Sequence, residues 1–359
     1  MTTNAAVERI RQTVRALSGY YDVNPDADVK LDQNENAYDF PEPLKRETFE
    51  HAAAVHWERY HEVRPAALLD GLAALTGWPA DGLLVGNGSN ELLHATILAS
   101  AAVGGRVLTV QPSFPLYDRL CRLLGAELVG VPLDARLAFD SDLIRREIAR
   151  TEPSLVVICN PNNPTGSVIA PDGLEAILDD YKGIVLVDEA YYEFSAGSFR
   201  AFLDRHDNPL LLRTFSKAMS LAGIRVGYLL GAPTLVGEIS KAKLPFTLNP
   251  LSCQAALTAL RHQPALQSRV DTIVTERERL IAALGKRTAI DVYPSAANFV
   301  FIRVPGHGDR TVAGLADRGV LVRRLRGHPL LADSMRVTVG TPEQNDRFLA
   351  TLDAALADG

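Results

Sequence analysis

The chain has 359 residues, 47% of them hydrophobic and 22% charged, with a net charge of −6. That size and apolar content suit one large domain with a smaller one beside it, and the mixed, mildly acidic charge argues against nucleic acid as the main partner. Cys121, Cys159 and Cys253 are too scattered for a disulfide framework or a CxxC metal knuckle. No apolar run reaches the ~18 residues of a membrane span, and the N-terminus has no signal-peptide core. The expectation is a soluble, cytoplasmic α/β protein.

In chain order, Val7, Ile10, Val14 and Leu17 recur at helical spacing and predict one amphipathic helix over residues 4–18. From about residue 68 to 232, short apolar runs alternate with helical patterns. Residues 106–110, 155–159, 184–187, 210–212 and 226–230 are near-continuously apolar, as strands buried on both faces of a parallel sheet are. Residues 171–180 read as a helix between two of them, and the whole reads as a βαβ pattern. After about residue 245 the texture changes. Residues 276–284 continue a long helix, 298–304 and 335–339 alternate like strands of a half-exposed antiparallel sheet, and 348–356 form a closing helix. The expected organisation is an N-terminal segment (1–40), a large domain (41–245) with a mostly parallel central sheet flanked by helices, and a smaller α+β C-terminal domain (246–359).

Several apolar strands end in polar clusters. Residues 155–159 run into Asn160-Pro161-Asn162-Asn163-Pro164-Thr165-Gly166, residues 184–187 into Asp188-Glu189-Ala190-Tyr191, and residues 210–212 into Thr214-Phe215-Ser216-Lys217. Ligands of open α/β sheets bind outside the carboxyl ends of the strands, so Asn163, Asp188 and Lys217 are expected in one crevice. A carboxylate directly after a buried strand needs a partner. Upstream, Gly86-Asn87-Gly88-Ser89-Asn90-Glu91 opens an apolar helix, which offers free N–H groups and a positive dipole end to an anion. Arg225 adds a fixed charge, and an anion such as a phosphate is expected beside the lysine. Each piece alone is ordinary turn or cap chemistry; their joint occurrence at successive strand ends points to a site. His51, His56 and His61 are spaced by five, so they do not share a helical face, and no metal site is expected.

Asn163-Pro164-Thr165-Gly166, Asp188-Glu189-Ala190-Tyr191 and Ser216-Lys217 with Arg225 resemble the fold-type-I pyridoxal-phosphate aminotransferases and, more narrowly, the histidinol-phosphate aminotransferase group. Asn34-Glu35-Asn36, Arg59-Tyr60, Pro112-Ser113-Phe114 and the run from Met335 to Gly340 extend the resemblance over nearly the full length. The resemblance implies that Lys217 forms the Schiff base with pyridoxal 5'-phosphate and then carries the proton shift. It implies that Asp188 pairs with the pyridine nitrogen and that Asn163 and Tyr191 donate to the phenolic oxygen. Phe114 would stack on the ring, and Ser89, Asn90, Ser216 and Arg225 would form the phosphate cup. Tyr60 would reach the phosphate of a neighbouring subunit's cofactor, which makes the active site a property of a homodimer. Arg336 would fork onto the carboxylate of the second substrate. Arg323 or its neighbour Arg324 would add a second charge, and Tyr20 and Asn36 would line the substrate pocket, Tyr20 being equally readable as a packed aromatic.

The implied reaction is amino transfer from L-histidinol phosphate to 2-oxoglutarate, giving imidazole acetol phosphate and glutamate in histidine biosynthesis. An aromatic or broad-specificity aminotransferase is the alternative, followed by a phosphothreonine-type decarboxylase. Both partners of the reaction are small molecules. A cofactor-sensing regulator is disfavoured, because only about thirty residues precede Asn34, too few for a helix-turn-helix module. The chain departs from the family pattern at Ala37, Asp39, Asn90, His61-Glu62 and the Ser18-Gly19 pair before Tyr20. None of these touches Lys217, Asp188 or Asn163.

Overall fold

Among the residues that the computed structural model describes, 5–19 and 26–357, twelve strands form two sheets. In chain order they are β1 (Val29–Leu31), β2 (Leu83–Gly86), β3 (Arg106–Gln111), β4 (Glu127–Pro132), β5 (Leu155–Cys159) and β6 (Ile184–Asp188), then β7 (Pro209–Thr214), β8 (Gly227–Gly231), β9 (Asp291–Val292), β10 (Phe299–Arg303), β11 (Val320–Arg324) and β12 (Ser334–Thr338). The large sheet has the order β2-β8-β7-β6-β5-β3-β4, with β8 antiparallel to both neighbours and the other pairings parallel.

The near-continuous apolar runs are explained by helices on both faces. Val156, Ile158, Val185, Val187 and Leu211 join one core with Leu174, Ile177 and Leu178 of helix Pro171–Asp180. Their strand neighbours Leu155, Val157, Leu186, Leu210 and Leu212 join a second core with Leu92 and Leu93 of helix Ser89–Ala101 and with Leu120 of helix Leu116–Leu124. Alternate residues face alternate cores, and no position is left for water. The register aligns Cys159 with Asp188 and Asp188 with Leu212, so β5, β6 and β7 end at one edge.

The second sheet has the order β1-β11-β12-β10-β9. Strand β1 pairs parallel to β11, which ties the N-terminal segment to the C-terminal part of the chain. Helices Gln263–Leu284 and Pro342–Ala357 cover this sheet through Val270, Ile273, Leu280, Phe348 and Leu352.

Three expectations change. Residues 4–18 do not form one helix: Ala5–Glu8 and Gln12–Arg15 are separate turns, with Arg11 extended between them. Val7 and Ile10 are exposed, and so short a segment without a buried face lacks the packing that sustains a helix. Strands β10 and β12 are not half-exposed, since all their residues except Arg303 are buried. The second face of β10 is turned to the large sheet, where Phe301 enters that sheet's core. Helix Pro250–Arg261, beyond the expected boundary at 245/246, packs Ala255, Ala256 and Ala259 into the same core. Small side chains on that helix let it lie close against helix Glu42–Ala53.

Candidate active site

The edge where β5, β6 and β7 end opens into a cavity of about 560 Å³, closed from the other side by β11, β12 and the segment after β1. Asp188, the last residue of β6, lies on its floor, buried. Tyr117 donates its hydroxyl proton to Asp188 Oδ2 at 2.8 Å, and the Ala190 N–H donates to Oδ1 at 3.1 Å. Burial pushes the Asp188 carboxyl up to about 6, against those two hydrogen bonds and with the Glu189 charge adding to the rise. The carboxylate therefore lacks a cationic neighbour strong enough to offset its desolvation.

Lys217 stands at the wall, half-buried because its tip opens on the cavity, and its Nζ donates to the Gln33 carbonyl at 3.0 Å. Burial pushes its amine down to about 7, helped by the charges of Arg336 and Arg225 and opposed by Glu35. Near neutral pH a large fraction of this amine is unprotonated, the state a nucleophile needs.

Tyr191 is buried, and its hydroxyl oxygen accepts from Asn34 Nδ2 at 3.0 Å and from Asn163 Nδ2 at 3.4 Å. Asn163 Oδ1 accepts from Arg336 Nη1 at 2.7 Å, and Arg336 Nη2 donates to the Asp32 carbonyl at 2.7 Å. The guanidinium is thus held in one orientation across the two sheets. Desolvation pushes the Tyr191 phenol up to about 12, so it remains a proton donor at neutral pH.

The anion end is built by the turn before helix Ser89–Ala101. Gly88 has φ +79°, and a Cβ there would lie 2.2 Å from Arg225 Nη2, so only glycine lets that guanidinium approach the helix N-terminus. Arg225 Nη1 donates to the Ser216 hydroxyl at 3.2 Å, and Ser89 and Asn90 line the cavity beside them. Phe114 also lines it and meets the Tyr117 ring edge-on at 5.7 Å.

A family model, aminotransferase class I and II, matches residues 27–352. The chain is 37% identical over 350 residues to a histidinol-phosphate aminotransferase of Chlorobaculum parvum, covering 97% of both chains. It is 39% identical over 349 residues to histidinol-phosphate aminotransferase 2 of Burkholderia pseudomallei, covering 97% of this chain and 98% of that one. The chain belongs to the aminotransferase class I and II family. Its fold matches a solved histidinol-phosphate aminotransferase of Sinorhizobium meliloti, in complex with pyridoxal-5'-phosphate, with a TM-score of 0.88 at 23% identity, covering 98% of both chains. The architecture is that of fold type I.

The cofactor of this aminotransferase class is pyridoxal 5'-phosphate, and the cavity fits it. A glycine cradle with an arginine and hydroxyls suits a phosphate. An amine near neutrality suits an aldehyde, and a buried carboxylate without a cation suits a ring nitrogen that carries a proton. Of the residues singled out in the sequence, Lys217, Asp188, Tyr191, Asn163, Ser89, Asn90, Ser216, Arg225, Phe114, Arg323 and Arg336 all line this one cavity.

Asn36 and Tyr60 do not. Asn36 is committed elsewhere: its Nδ2 donates to the Lys217 and Ala218 carbonyls at 3.1 Å each, and its Oδ1 accepts from the Tyr38 N–H at 3.0 Å. It holds the loop that carries the lysine instead of facing substrate. Tyr60 is 86% exposed and leans on Phe246, with ring centroids 4.7 Å apart. Tyr20 lies outside the described residues. Arg324 also lines the cavity and is tied to Asp309 Oδ1 at 2.7 Å and to the Ser334 carbonyl at 2.7 Å, while Arg323 stands opposite Arg336 in the β11–β12 register.

Tyr117, Asn34 and Arg119 were not singled out as site residues, yet each lines the cavity or bonds a residue that does. Tyr117 follows Phe114 by three residues, a helical repeat that could have flagged it. The cluster His51, His56 and His61 stays on the surface, and no group of metal-binding side chains occurs among the described residues. No helix among them is long and apolar enough to cross a membrane.

Proposed function

We propose that this aminotransferase moves the amino group of L-histidinol phosphate to 2-oxoglutarate, giving imidazole acetol phosphate and glutamate, as a step of histidine biosynthesis. The observation that carries this reading is near-full-length similarity, at 37–39% identity, to histidinol-phosphate aminotransferases. A cavity with Arg336 and Arg323 on its small-sheet side supports it, because the site must take a phosphate monoester and a dicarboxylate in turn.

When bound, pyridoxal phosphate supplies an aldehyde to hold the substrate amine and a ring that withdraws electrons from the carbon being deprotonated. The protein does the rest. Ser89, Asn90, Ser216 and Arg225 would bind its phosphate, and Phe114 would fix the plane of the ring. Asp188, held by Tyr117 and the Ala190 N–H, would keep a proton on the ring nitrogen. Tyr191 and Asn163 would donate to the phenolic oxygen. Lys217 would first hold the aldehyde and, once displaced by substrate, carry the proton between neighbouring carbons as a general base. Its amine, near 7, is matched to that task at neutral pH. Arg336 would orient the carboxylate of glutamate or 2-oxoglutarate through its fork.

The proposal includes a homodimer in which Tyr60 reaches the neighbouring subunit's cofactor. The exposed rings of Tyr60 and Phe246, in contact with each other, and the exposed Leu244 two residues before Phe246 support self-association there. It also includes a cytoplasmic location, supported by three buried free cysteines.

The test is a coupled assay of the loaded protein against a panel of amines with 2-oxoglutarate. Histidinol phosphate should give the highest kcat/KM. Turnover of phenylalanine without histidinol phosphate would favour the aromatic alternative. Carbon dioxide release from phosphothreonine, with no oxo acid consumed, would favour a decarboxylase.

A further inference from the structure

Glu91 is two residues past Ser89 in the first turn of helix Ser89–Ala101, and it does not line the cavity. Its Oε2 accepts from the Asn87 N–H at 2.6 Å, so this carboxylate shapes the turn that forms the anion end. The same Oε2 accepts from the Thr247 hydroxyl at 3.0 Å. The Lys243 ammonium lies 3.8 Å from Oε1 and donates to the Thr247 hydroxyl at 2.7 Å. Both ionic side chains are largely enclosed, with 7% of Lys243 and 18% of Glu91 exposed. A Cβ on Gly86 would sit 2.9 Å from Glu91 Oε2, so the bare glycine backbone makes room for the carboxylate.

Lys243 and Thr247 bracket two exposed apolar residues, Leu244 and Phe246. Phe246 is held at φ 57°, a left-handed conformation that a bulky residue adopts only under constraint. Its ring rests on Tyr60. One carboxylate therefore pins the phosphate turn on one side and both ends of a strained, exposed apolar loop on the other.

We propose that Glu91 couples cofactor binding to self-association, so that pyridoxal phosphate and a second copy of this chain each strengthen the other's binding. This rests on the dimer and cofactor reading above. A phosphate held by Ser89, Asn90 and Arg225 orders the turn at Asn87–Ser89. The ordered turn holds the Glu91 carboxylate, and the carboxylate holds Thr247 and Lys243. Leu244 and Phe246 are then presented in one arrangement to the partner. Coupling between two binding events is reciprocal, so the same contact makes the dimer retain cofactor better than the monomer does. Glu91 is a positioning residue that touches neither cofactor nor substrate.

Tyr60 would couple the two events directly, so the test is made in a Tyr60→Phe background. Sedimentation equilibrium gives the association constant of the protein without cofactor and loaded with pyridoxal phosphate, the loading being checked by absorbance. In Tyr60→Phe alone the loaded form should associate about tenfold more tightly, within the usual range of such couplings. Adding Glu91→Gln should bring the ratio to within about twofold of one while both forms still associate. Thr247→Val, which keeps the charge pair and removes the hydroxyl link, should narrow the ratio in part and decides the matter if Glu91→Gln does not fold. An unchanged ratio in these variants, or a ratio of one in Tyr60→Phe itself, overturns the coupling and leaves the dimer standing. A protein that is monomeric in every form overturns the dimer and the coupling together.

Discussion

The two ends of the cavity are built differently. The end that carries Asp188, Asn163 and Lys217 comes from three successive strand ends of one sheet, each within a short polar run. The opposite end comes from β11, β12 and the segment after β1, which are neighbours in the second sheet, and it reaches the first end through Arg336 on Asn163, Asn34 on Tyr191 and the Gln33 carbonyl on Lys217. The first end is rigid because its backbone is the ladder of a sheet covered on both faces. The second depends on how one sheet sits on the other. On the proposed function, the steps at the cofactor fall to the first end and the grip on the substrate carboxylate to the second.

Substitutions test that division. Lys217→Ala, at the rigid end, should cost at least about 10⁴-fold in turnover, since both a nucleophile and a general base are lost. The visible absorbance of the loaded protein should vanish with it; an intact band in this variant refutes the assignment. Asp188→Asn should keep the cofactor bound yet reduce kcat by roughly 10²–10⁴-fold, the range of a positioned electrostatic group. Near-normal kcat there would show that the carboxylate only closes the strand end.

At the other end the effect should fall on KM. Arg336→Lys removes a two-pronged contact to a carboxylate, which is worth about 1.5–3 kcal/mol. The KM for 2-oxoglutarate should rise roughly 10–100-fold, while the spectrum of the loaded protein stays as it was. A changed spectrum with an unchanged KM would erase the distinction between the two ends.

The pH dependence sharpens the same comparison. Capture of pyridoxal phosphate by the empty protein should accelerate as pH rises through about 7, where the Lys217 amine loses its proton, and level off above that. An inflection near the ordinary lysine value of ~10.4 would mean that burial does not act on it. Asn36→Ala, which frees the Lys217 loop without touching the cavity, should give the smallest change. About tenfold in kcat is expected, from the loss of hydrogen bonds to two carbonyls.

Much of the rigid end was readable from the chain. Unbroken apolar runs mark strands covered on both faces, and the polar residues just after them must collect at the sheet edge. The other end was less readable. Arg336 sits in an alternating run that reads as half-exposed, and nothing local shows that Asn163 receives its guanidinium. Asn36 sits among the residues of the resemblance, yet its side chain is committed to the Lys217 loop. Tyr117 reads as a helix residue until β6 brings Asp188 beneath it. Residues 4–18 have helical periodicity, but in the described part, from Ala5 on, neither turn buries a residue, and two short helical turns form instead of one helix.

The sequence by itself determined the βαβ order, the strand ends that carry Lys217, Asp188 and Asn163, and the glycine turn for an anion, because these follow from local periodicity and from the cost of charge beside a buried strand. Only the tertiary structure decided that Arg336 meets Asn163, that Asn36 serves the lysine loop and that Glu91 joins the phosphate turn to residues 243–247. Those pairings lie between segments remote in sequence, and their energy depends on distances that arise only when the sheets, helices and loops come together.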